Sequence, residues 1–537
     1  MSAQRGLGAM ADGGWTRRAR DGLRATVNDL AERFGHAGDA APVFRPPVVM
    51  PGDPARGEAM LAGRIVFAGQ TVDAQGAFPW DAAEADPGWR DAAHGFAWLG
   101  DLAALGTATA RAAALGATLA WIDRHDQRRD PVWRADLLGR RVLAWLGQID
   151  WLLDGADADI RATLLASLDR QARTLARMAP FNDMPDGFAA VAGLVVATLA
   201  LPVLARRRDR ALALLEDEIA RQVLADGGHV GRSPSRHLEA LRDLAGLRAT
   251  LGTAGVPVPA SLTEAIARMA PMLRFFRHGD GALALFNGVS AETPAAIDVV
   301  LGLAAAPGSP PASALASGFE RLAAGRTLAI VDVGPPQALA TAATHAGMLS
   351  LEFGVGRERL IVNCGAHAGR RPDWEVAMRA PAAHSTAAVD DADPLAGTIA
   401  CGVARHRDDA GQWLEAAHDG YHAGTGFRLR RRLYLDADGT DFRGEDSFEG
   451  KGEGRFTVRF HLHPKVRASL VGDGAGVLLR LAESGGWRLR AAGAALAIED
   501  SVYLGSGQPQ RTEQIVLRGP LKPGKTTVKW ALARVRR

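Results

Sequence analysis

The segment GSPPASALASG, residues 308–318, separates two halves of a 537-residue chain that differ in hydrophobic periodicity. Before it, from residue 91 to residue 303, apolar residues recur at helical spacing between short stretches of Gly, Pro or Asp. After it, short β-branched or alternating runs are separated by turn-forming pairs. The change of period predicts an all-α half followed by an all-β half.

The helical half is typical of helix pairs that stack side by side. In SPSRHLEALRDLAGLRATL, residues 233–251, Ser233 is placed as the N-cap and Pro234 as the first helical residue. One apolar stripe follows, made of Leu238, Leu241, Leu244, Leu247 and Leu251. Successive antiparallel pairs of this kind predict a ring or solenoid of helices.

The second half predicts an antiparallel β-sandwich, because its strand signals follow one another without intervening helices. In RFTVRFHLH, residues 455–463, alternation places four apolar residues on one face: Phe456, Val458, Phe460 and Leu462. The other face carries Arg455, Arg459, His461 and His463. That cationic face either lines a groove, with Arg459 and His461 as substrate contacts, or is a solvated outer surface.

We therefore divide the chain into three parts. Residues 1–90 form an N-terminal segment that leads into the helical ring, residues 91–308 form the ring itself, and residues 309–537 form the β-sandwich. The length is sufficient for more than one domain with a large core.

Composition excludes several classes of protein. Lys and Arg number 63 against 60 Asp and Glu, so the net charge of +3 gives no polycation and predicts no nucleic-acid partner. Two cysteines, Cys364 and Cys401, make no disulfide scaffold. We find neither an apolar signal core nor a membrane span, which predicts a cytoplasmic chain, or a periplasmic one if the start site is misassigned.

The β half contains the two stretches THAGMLSLEFGVGRERLIVNCG, residues 344–365, and AHSTAAVDD, residues 383–391. They resemble the C-terminal domain of the heparinase II/III-like polysaccharide lyases. Supporting segments are residues 181–201, 226–244, 273–288 and 418–446. The resemblance implies an incomplete α/α toroid joined to a β-sandwich, with a polysaccharide cleft between them.

By resemblance, the activity is β-elimination on an acidic, uronate-containing polysaccharide such as a glycosaminoglycan or alginate. The reaction needs a group that neutralises the sugar carboxylate, a base for the C5 proton and an acid for the leaving oxygen. The family pattern implies Asn182 as the neutralising residue, followed here by Asp183 where a His is common.

The proton-transfer residues of the family pattern are altered. The position of its Tyr is Arg236, and the three tyrosines of the chain, Tyr421, Tyr434 and Tyr503, all lie in the β half. In the family's HxHxD pattern the first His is Ala343 and the Asp is Gly347. Two groups of the usual mechanism are therefore absent from their expected positions.

Other side chains are candidates for these roles. We consider His229 or His237 as base with Arg236 as the carboxylate-neutralising group, and Tyr421 in a loop as a further proton-transfer group. Arg236 has an alternative role as the ion-pair partner of Glu239 on the same helical face. Arg140 and Arg141 either contact sugar carboxylates or sulfates, or form ordinary salt bridges.

No cofactor is required, but the resemblance implies a possible structural zinc site. Its ligands would be His345, Asn363 and His384, completed by Asp390, Asp391 or His367. Two imidazoles and one neutral amide are a poor zinc set. The alternative for both histidines is hydrogen bonding within the core.

Two functional hypotheses follow. The first is a polysaccharide lyase with altered catalytic residues, and the second is a non-catalytic protein that binds an anionic polysaccharide on the same scaffold. Hydrolysis by paired carboxylates stays open, because α/α toroids also carry glycosidases.

Overall fold

The computed structural model describes residues 41–74, 77–126, 131–182, 184, 187–335, 345–394 and 401–535. A helical body is followed by a body of antiparallel sheets, which confirms the predicted fold class. The last helix of the first body ends at Ala304 and the first strand of the second begins at Ser313. The predicted division at residue 308 falls between these two elements.

The helical body alternates inner and outer helices. Its helices are α1 (Pro54–Leu61), α2 (Pro87–Gly95), α3 (Leu99–Ala103), α4 (Ala108–His125), α5 (Ala135–Leu153), α6 (Ala158–Met178), α7 (Phe188–Ala200), α8 (Arg208–Gln222), α9 (Pro234–Thr253), α10 (Ala260–Phe275) and α11 (Pro294–Ala304). Helices α5, α7 and α9 pack side by side, with α6, α8 and α10 behind them. None of the described helices is both long and apolar enough to cross a bilayer.

Local sequence explains the central helices. Helix α7 is apolar on all sides and is buried along almost its whole length, as expected for an inner element. In α9, Ser233 is the N-cap residue, Pro234 opens the first turn, and the five predicted leucines are all buried. The 3.6-residue period therefore placed this helix and its buried stripe correctly.

The N-terminal part contains an element that the sequence did not predict. A hairpin of β1 (Arg64–Phe67) and β2 (Gln70–Asp73) precedes α2. Its four-residue strands are too short for a clear alternation signal. Across the described part of residues 91–303, β pairing is limited to two isolated bridges, Val223–His229 and Arg277–Leu283.

The β body consists of two antiparallel sheets. The larger sheet contains β3 (Ser313–Ala314), β4 (Phe319–Ala324), β5 (Thr327–Asp332), β6 (Leu351–Val355), β7 (Glu358–Val362), β8 (Ala387–Val389), β13 (Gly454–Leu462), β17 (Ala495–Tyr503) and β18 (Gln510–Leu521). The other sheet contains β9 (Cys401–Arg407), β10 (Gly411–His418), β11 (Phe427–Asp436), β12 (Asp441–Gly450), β14 (Arg467–Val471), β15 (Gly476–Arg480), β16 (Gly486–Ala492) and β19 (Gly524–Arg534). Helices α12 (Pro372–Arg379) and α13 (His422–Thr425) lie in their connections.

Two buried ionic contacts join the helical body to the sandwich. Arg232, in the loop before α9, forms an ion pair with Asp332 at the end of β5, and the two residues are only 6% and 2% exposed. The guanidinium also donates to the carbonyls of Ser317, at 2.8 Å, and Pro335, at 2.6 Å. All the hydrogen bonds that the Arg232 guanidinium donates therefore go to residues of the sandwich.

The second contact centres on Glu352 of β6, which is fully buried. One of its oxygens accepts from the backbone N–H groups of Leu285 and Asn363, both at 2.9 Å, and the other lies 2.9 Å from His278 Nε2. Burial opposes ionisation, but His278 and Arg359 hold the pKa of Glu352 below its usual value. Arg359 also forms a two-pronged pair with Asp280, at 2.9 and 3.0 Å.

Removing the cation of the first contact will destabilise the whole chain. We expect Arg232→Met to lower the free energy of unfolding by about 3–5 kcal/mol, because the buried Asp332 loses its cation and keeps only the Asn287 side chain and the Gly334 N–H as donors. Urea denaturation followed by circular dichroism measures this. The control is Arg511→Met, which removes an exposed pair with Asp500 and is expected to leave the free energy of unfolding almost unchanged, because solvent screens an exposed pair. Equal losses in the two variants would contradict the role of Arg232.

Candidate functional site

A cleft of about 630 Å³ lies between the helical body and the sandwich. The helical wall comes from α2, the start of α5, the start of α9 and the loop of residues 287–292. The sandwich wall comes from His345, the loop of residues 366–370 and α12. The Arg232 and Glu352 contacts join the same two bodies.

Most charges in the cleft are paired with one another. Five arginines and five carboxylates line it: Arg134, Arg140, Arg236, Arg370, Arg379, Asp91, Asp136, Glu239, Glu292 and Glu375. Asp91 accepts from Arg134 at 2.6 Å and also pairs with Arg370 of the sandwich. Arg140 donates to Glu239 at 2.9 Å. The cleft therefore has balanced charge, and the pair of Asp91 and Arg370 joins the two bodies.

Arg236 differs from the other cleft arginines. It is half-buried on the first turn of α9, and no ion pair to its guanidinium occurs among the described residues. The predicted alternative, a direct pair with Glu239, is not what the structure has, because Arg140 occupies that carboxylate. Burial opposes ionisation of Glu239, but Arg140, Arg242 and Arg236 together keep its pKa below the usual value.

The same wall carries Glu292, a carboxyl group whose pKa is shifted upward, in contrast to that of Glu239. Burial, and then the neighbouring Glu239, raise the pKa of Glu292. Ser233, Ser235, Asn287 and Ser290 line the cleft around it. This wall therefore offers hydroxyl, amide and carboxyl groups, which are suited to hydrogen bonding with a polyhydroxylated ligand.

The sandwich wall supplies an aromatic surface. Trp374 of α12 and His367 stack with ring centroids 5.7 Å apart and planes 14° from parallel. His345 lies beside them, and burial with the nearby Arg379 lowers its pKa to about 4. Its Nδ1 is buried and has no hydrogen-bond partner among the described atoms. His345 is therefore neutral at physiological pH.

The structure does not bring the other predicted proton-transfer residues into the cleft. His229 is buried, accepts from the Gly231 N–H at 3.0 Å and lies 2.6 Å from Gln222 Oε1, and burial lowers its pKa to about 3. His237 is buried with its Nε2 2.9 Å from the Met269 carbonyl.

Tyr421 packs in the sandwich core, where burial raises the pKa of its hydroxyl. Asn182 lies exposed in a turn.

Arg141 does not meet the prediction that it contacts a sugar. It is fully buried in the helical body, where its guanidinium lies 4.3 Å from the ring centre of Trp121. Its Nε donates to Gln171 at 2.7 Å and its Nη1 to the His94 carbonyl at 2.9 Å. Successive residues of an α-helix are rotated by about 100° around its axis. The side chains of Arg140 and Arg141 therefore point to different surroundings.

The predicted cationic face of β13 is not present. Phe456, Val458, Phe460 and Leu462 are buried as predicted, but Arg459 is only 7% and His461 only 2% exposed. Arg459 pairs with Asp391 at 2.8 Å. Burial and then Arg459 lower the pKa of His461 to about 4, so it carries no charge near pH 7. Alternation gave the correct face for each residue, but β13 is an inner strand covered on both sides.

The predicted zinc ligands do not fit a metal site. The rings of His345 and His384 lie 5.4 Å apart and nearly perpendicular. The Asn363 side chain is engaged, because its oxygen accepts from the Ser385 N–H at 2.9 Å and its nitrogen lies 3.4 Å from Glu352. Among the residues that the structure describes, no cluster of three or more His, Cys, Asp and Glu side chains could hold a metal ion.

Gly347 explains the position of His384. A Cβ atom at Gly347 would lie 2.9 Å from His384 Nδ1 and 3.0 Å from its Cγ. The imidazole therefore fills the space that an aspartate side chain at this position would occupy. Ala343, the other altered position of the motif, lies outside the described residues, as does Asp183.

Several residues of the cleft were missed by the sequence analysis. Arg134, Arg370, Trp374 and Glu292 each lie outside the motifs that carried the family resemblance. The one available signal was the segment HAGRRPDWEVAMR, residues 367–379, in which basic and aromatic residues lie between the two quoted motifs. Nothing in the local pattern indicates that this short helix faces the helical body.

Comparison with known proteins supports the family resemblance. Residues 306–531 match the model of the domain described as heparinase II/III-like, C-terminal. The FtsZ-localized protein C of Caulobacter vibrioides is 33% identical, across 91% of this chain and 90% of that protein.

Solved structures share the fold at low sequence identity. A crystal structure of heparinase III is similar with a TM-score of 0.75 and 13% identity, covering 99% of this chain and 92% of that one. The heparan sulfate lyase HepC from Pedobacter heparinus, in a mutant form, gives a TM-score of 0.63 and 15% identity, covering 96% and 88%. At these identities the likeness shows the toroid and sandwich fold alone.

The buried histidines predict how stability depends on pH. His229, His237, His345, His418 and His461 have pKa values lowered from 6.5 to about 3 or 4. As the pH falls from 6.5 towards 4, the unfolded chain takes up protons that the folded chain does not. Each such histidine should therefore lower the free energy of unfolding by about 1.4 kcal/mol per pH unit in this range.

The contribution of one histidine is separable by substitution. His418→Gln should reduce this slope by about 1 kcal/mol per pH unit when it is averaged between pH 7 and pH 5. Urea denaturation across this range measures the slope in the variant and in the parent protein. An unchanged slope in His418→Gln would show that folding does not lower the pKa of this imidazole.

Proposed function

The chain belongs to the heparinase II/III-like family, and we propose that it binds a saccharide chain in the cleft without cleaving it. The supporting observation is the composition of the cleft. It combines serine, amide and carboxyl groups on one wall with Trp374 and His367 on the other, and no tyrosine lines it among the described residues. These are groups that bind a sugar, whereas the Tyr and the first His of the family pattern are replaced in this sequence by Arg236 and Ala343.

The geometry weighs against β-elimination for a physical reason. His229 and His237 have their ring nitrogens directed into the helical core, and Tyr421 is enclosed in the sandwich. A base must lie within hydrogen-bond reach of the proton that it removes. Of the predicted groups, Arg236 does reach the cleft, but a guanidinium that stays protonated is a poor general base.

Arg236 has a binding role in this proposal. Among the cleft arginines, it is the one whose guanidinium forms no ion pair with a carboxylate of the described residues. We infer that it donates charge-assisted hydrogen bonds to a carboxylate or sulfate of the saccharide. The ligand would be anionic at one or few positions, because the remaining cleft charges are balanced by one another. The cytoplasmic location stays a prediction.

Binding and cleavage are separable in one experiment. Oligosaccharides from alginate, hyaluronan and heparan sulfate are titrated into the protein by calorimetry at low salt, and the same mixtures are monitored for the ultraviolet absorbance of an unsaturated uronate. We expect binding without an absorbance increase. Arg236→Ala should weaken binding by about 1.5–3 kcal/mol, the range for a hydrogen bond to a charged group.

The matched control is Arg455→Ala, which removes an exposed arginine at the start of β13, outside the cleft. Its affinity for the oligosaccharides should be unchanged. A rise in absorbance would establish the lyase hypothesis instead. Equal affinity of Arg236→Ala and the parent protein would remove Arg236 from the binding site.

A second proposal comes from the relative that is 33% identical across 91% of this chain. Its name states that it localises with FtsZ, and we propose the same for this protein. A fluorescent fusion should form the same mid-cell pattern as labelled FtsZ, and purified protein should sediment with FtsZ polymers. Free fluorescent protein is the control. A uniform distribution, with no sedimentation beyond that control, would refute this proposal.

A further inference from the structure

A second concave surface lies on the outer face of the sheet that contains β19, away from the cleft. It is a groove of about 760 Å³, and we define it by Trp413, Tyr434, Arg443, Arg490 and Ala531. These residues come from five adjacent strands and form one row: Trp413 pairs with Tyr434, Tyr434 with Arg443, Arg443 with Ala531, and Ala531 with Arg490. The regular register of five neighbouring strands therefore forms the groove.

The floor of this groove is apolar and its sides are aromatic and basic. Ala531 and Ala533 of β19 form the floor, and Val535, at its end, is 38% exposed. On one side the rings of Trp413 and Tyr434 lie 4.7 Å apart, with the Arg443 guanidinium 6.0 Å from the Tyr434 ring centre. On the other side are Arg488 and Arg490 of β16.

The charge of the groove is strongly unbalanced, unlike that of the cleft. Six cationic side chains line it against two anionic ones: Arg432, Arg443, Arg488, Arg490, Lys529, Arg534, Asp441 and Glu445. Within the described part of the chain, Arg488, Arg490 and Arg534 form no ion pair, and the Nε of Arg488 is buried without a partner. The whole molecule carries a net charge of only +3. An anionic partner is therefore attracted to this groove.

We propose that this groove is a docking site for an acidic, extended protein segment with apolar anchor residues. Arginine forks bind the carboxylates of Asp and Glu in a two-pronged manner, and the alanine floor with its aromatic side accepts apolar side chains. A glycan is less well matched, because none of the described lining residues is Ser, Thr, Asn, Gln or His. This site is separate from the cleft and does not depend on the function proposed for it.

The test uses a short fluorescein-labelled synthetic peptide in which Glu alternates with Leu and Phe, measured by fluorescence anisotropy on the full chain. We expect saturable binding that weakens as salt is raised, because exposed charges are screened. The same peptide with Gln in place of Glu should bind at least about tenfold more weakly. Hyaluronan oligosaccharide and a single-stranded oligonucleotide serve as competitors.

Variants locate the binding to the groove. The double variant Arg488→Glu/Arg490→Glu should lose at least about tenfold in affinity for the acidic peptide. The matched double variant Arg455→Glu/Arg511→Glu makes the same charge change at exposed arginines of the other sheet and should bind within about twofold of the parent. Thermal unfolding of both variants verifies that they are folded. Ala533→Asp, on the groove floor, should weaken binding without altering any arginine.

Three outcomes would overturn the proposal. An equal loss in both double variants would show attraction to net charge alone. Tighter binding of the oligosaccharide or of the oligonucleotide than of the peptide would assign the groove to another class of partner. Unchanged affinity in Arg488→Glu/Arg490→Glu would place the peptide elsewhere on the protein.

Discussion

The buried carboxylate of Glu352 is the contact on which the arrangement of the two bodies depends. Its oxygens are shared between the sandwich, through the Asn363 N–H, and the helical body, through the Leu285 N–H and His278. A buried charge is tolerated only where such partners are all in place, so the relative position of the bodies is closely specified. The nearby pair of Arg232 and Asp332 adds a second point of attachment.

The cleft and the outer groove illustrate two uses of the same residue type. Arginine supplies nearly all cationic groups in both, but in the cleft it is matched by an equal number of carboxylates, as in the pair of Arg140 and Glu239. In the groove, Arg490 and its neighbours have few acidic residues nearby. The charges of the cleft are therefore balanced locally, whereas the lining of the groove has an excess of positive charge.

The motif that carried the family resemblance has become part of the core. With glycine at position 347, the ring of His384 rests on the backbone, and burial together with His345 and His461 lowers its pKa well below the usual value. Asn363 links Glu352 to the Ser385 N–H. These side chains lie in the sandwich next to the attachment to the helical body, where both ring nitrogens of His384 are buried without a hydrogen-bond partner among the described atoms.

The sequence alone determined the elements and the faces of most of them, because hydrophobic period reflects local backbone geometry. It gave the buried stripe of α9, the apolar face of β13 and the order of toroid and sandwich. Tertiary structure alone decided which polar residues meet solvent, because that depends on neighbouring elements. Arg140 and Arg141 are adjacent in the chain, yet one lines the cleft and the other is enclosed by Trp121 and Gln171. The same packing made His461 a neutral core residue and left Arg490 facing solvent on an open sheet.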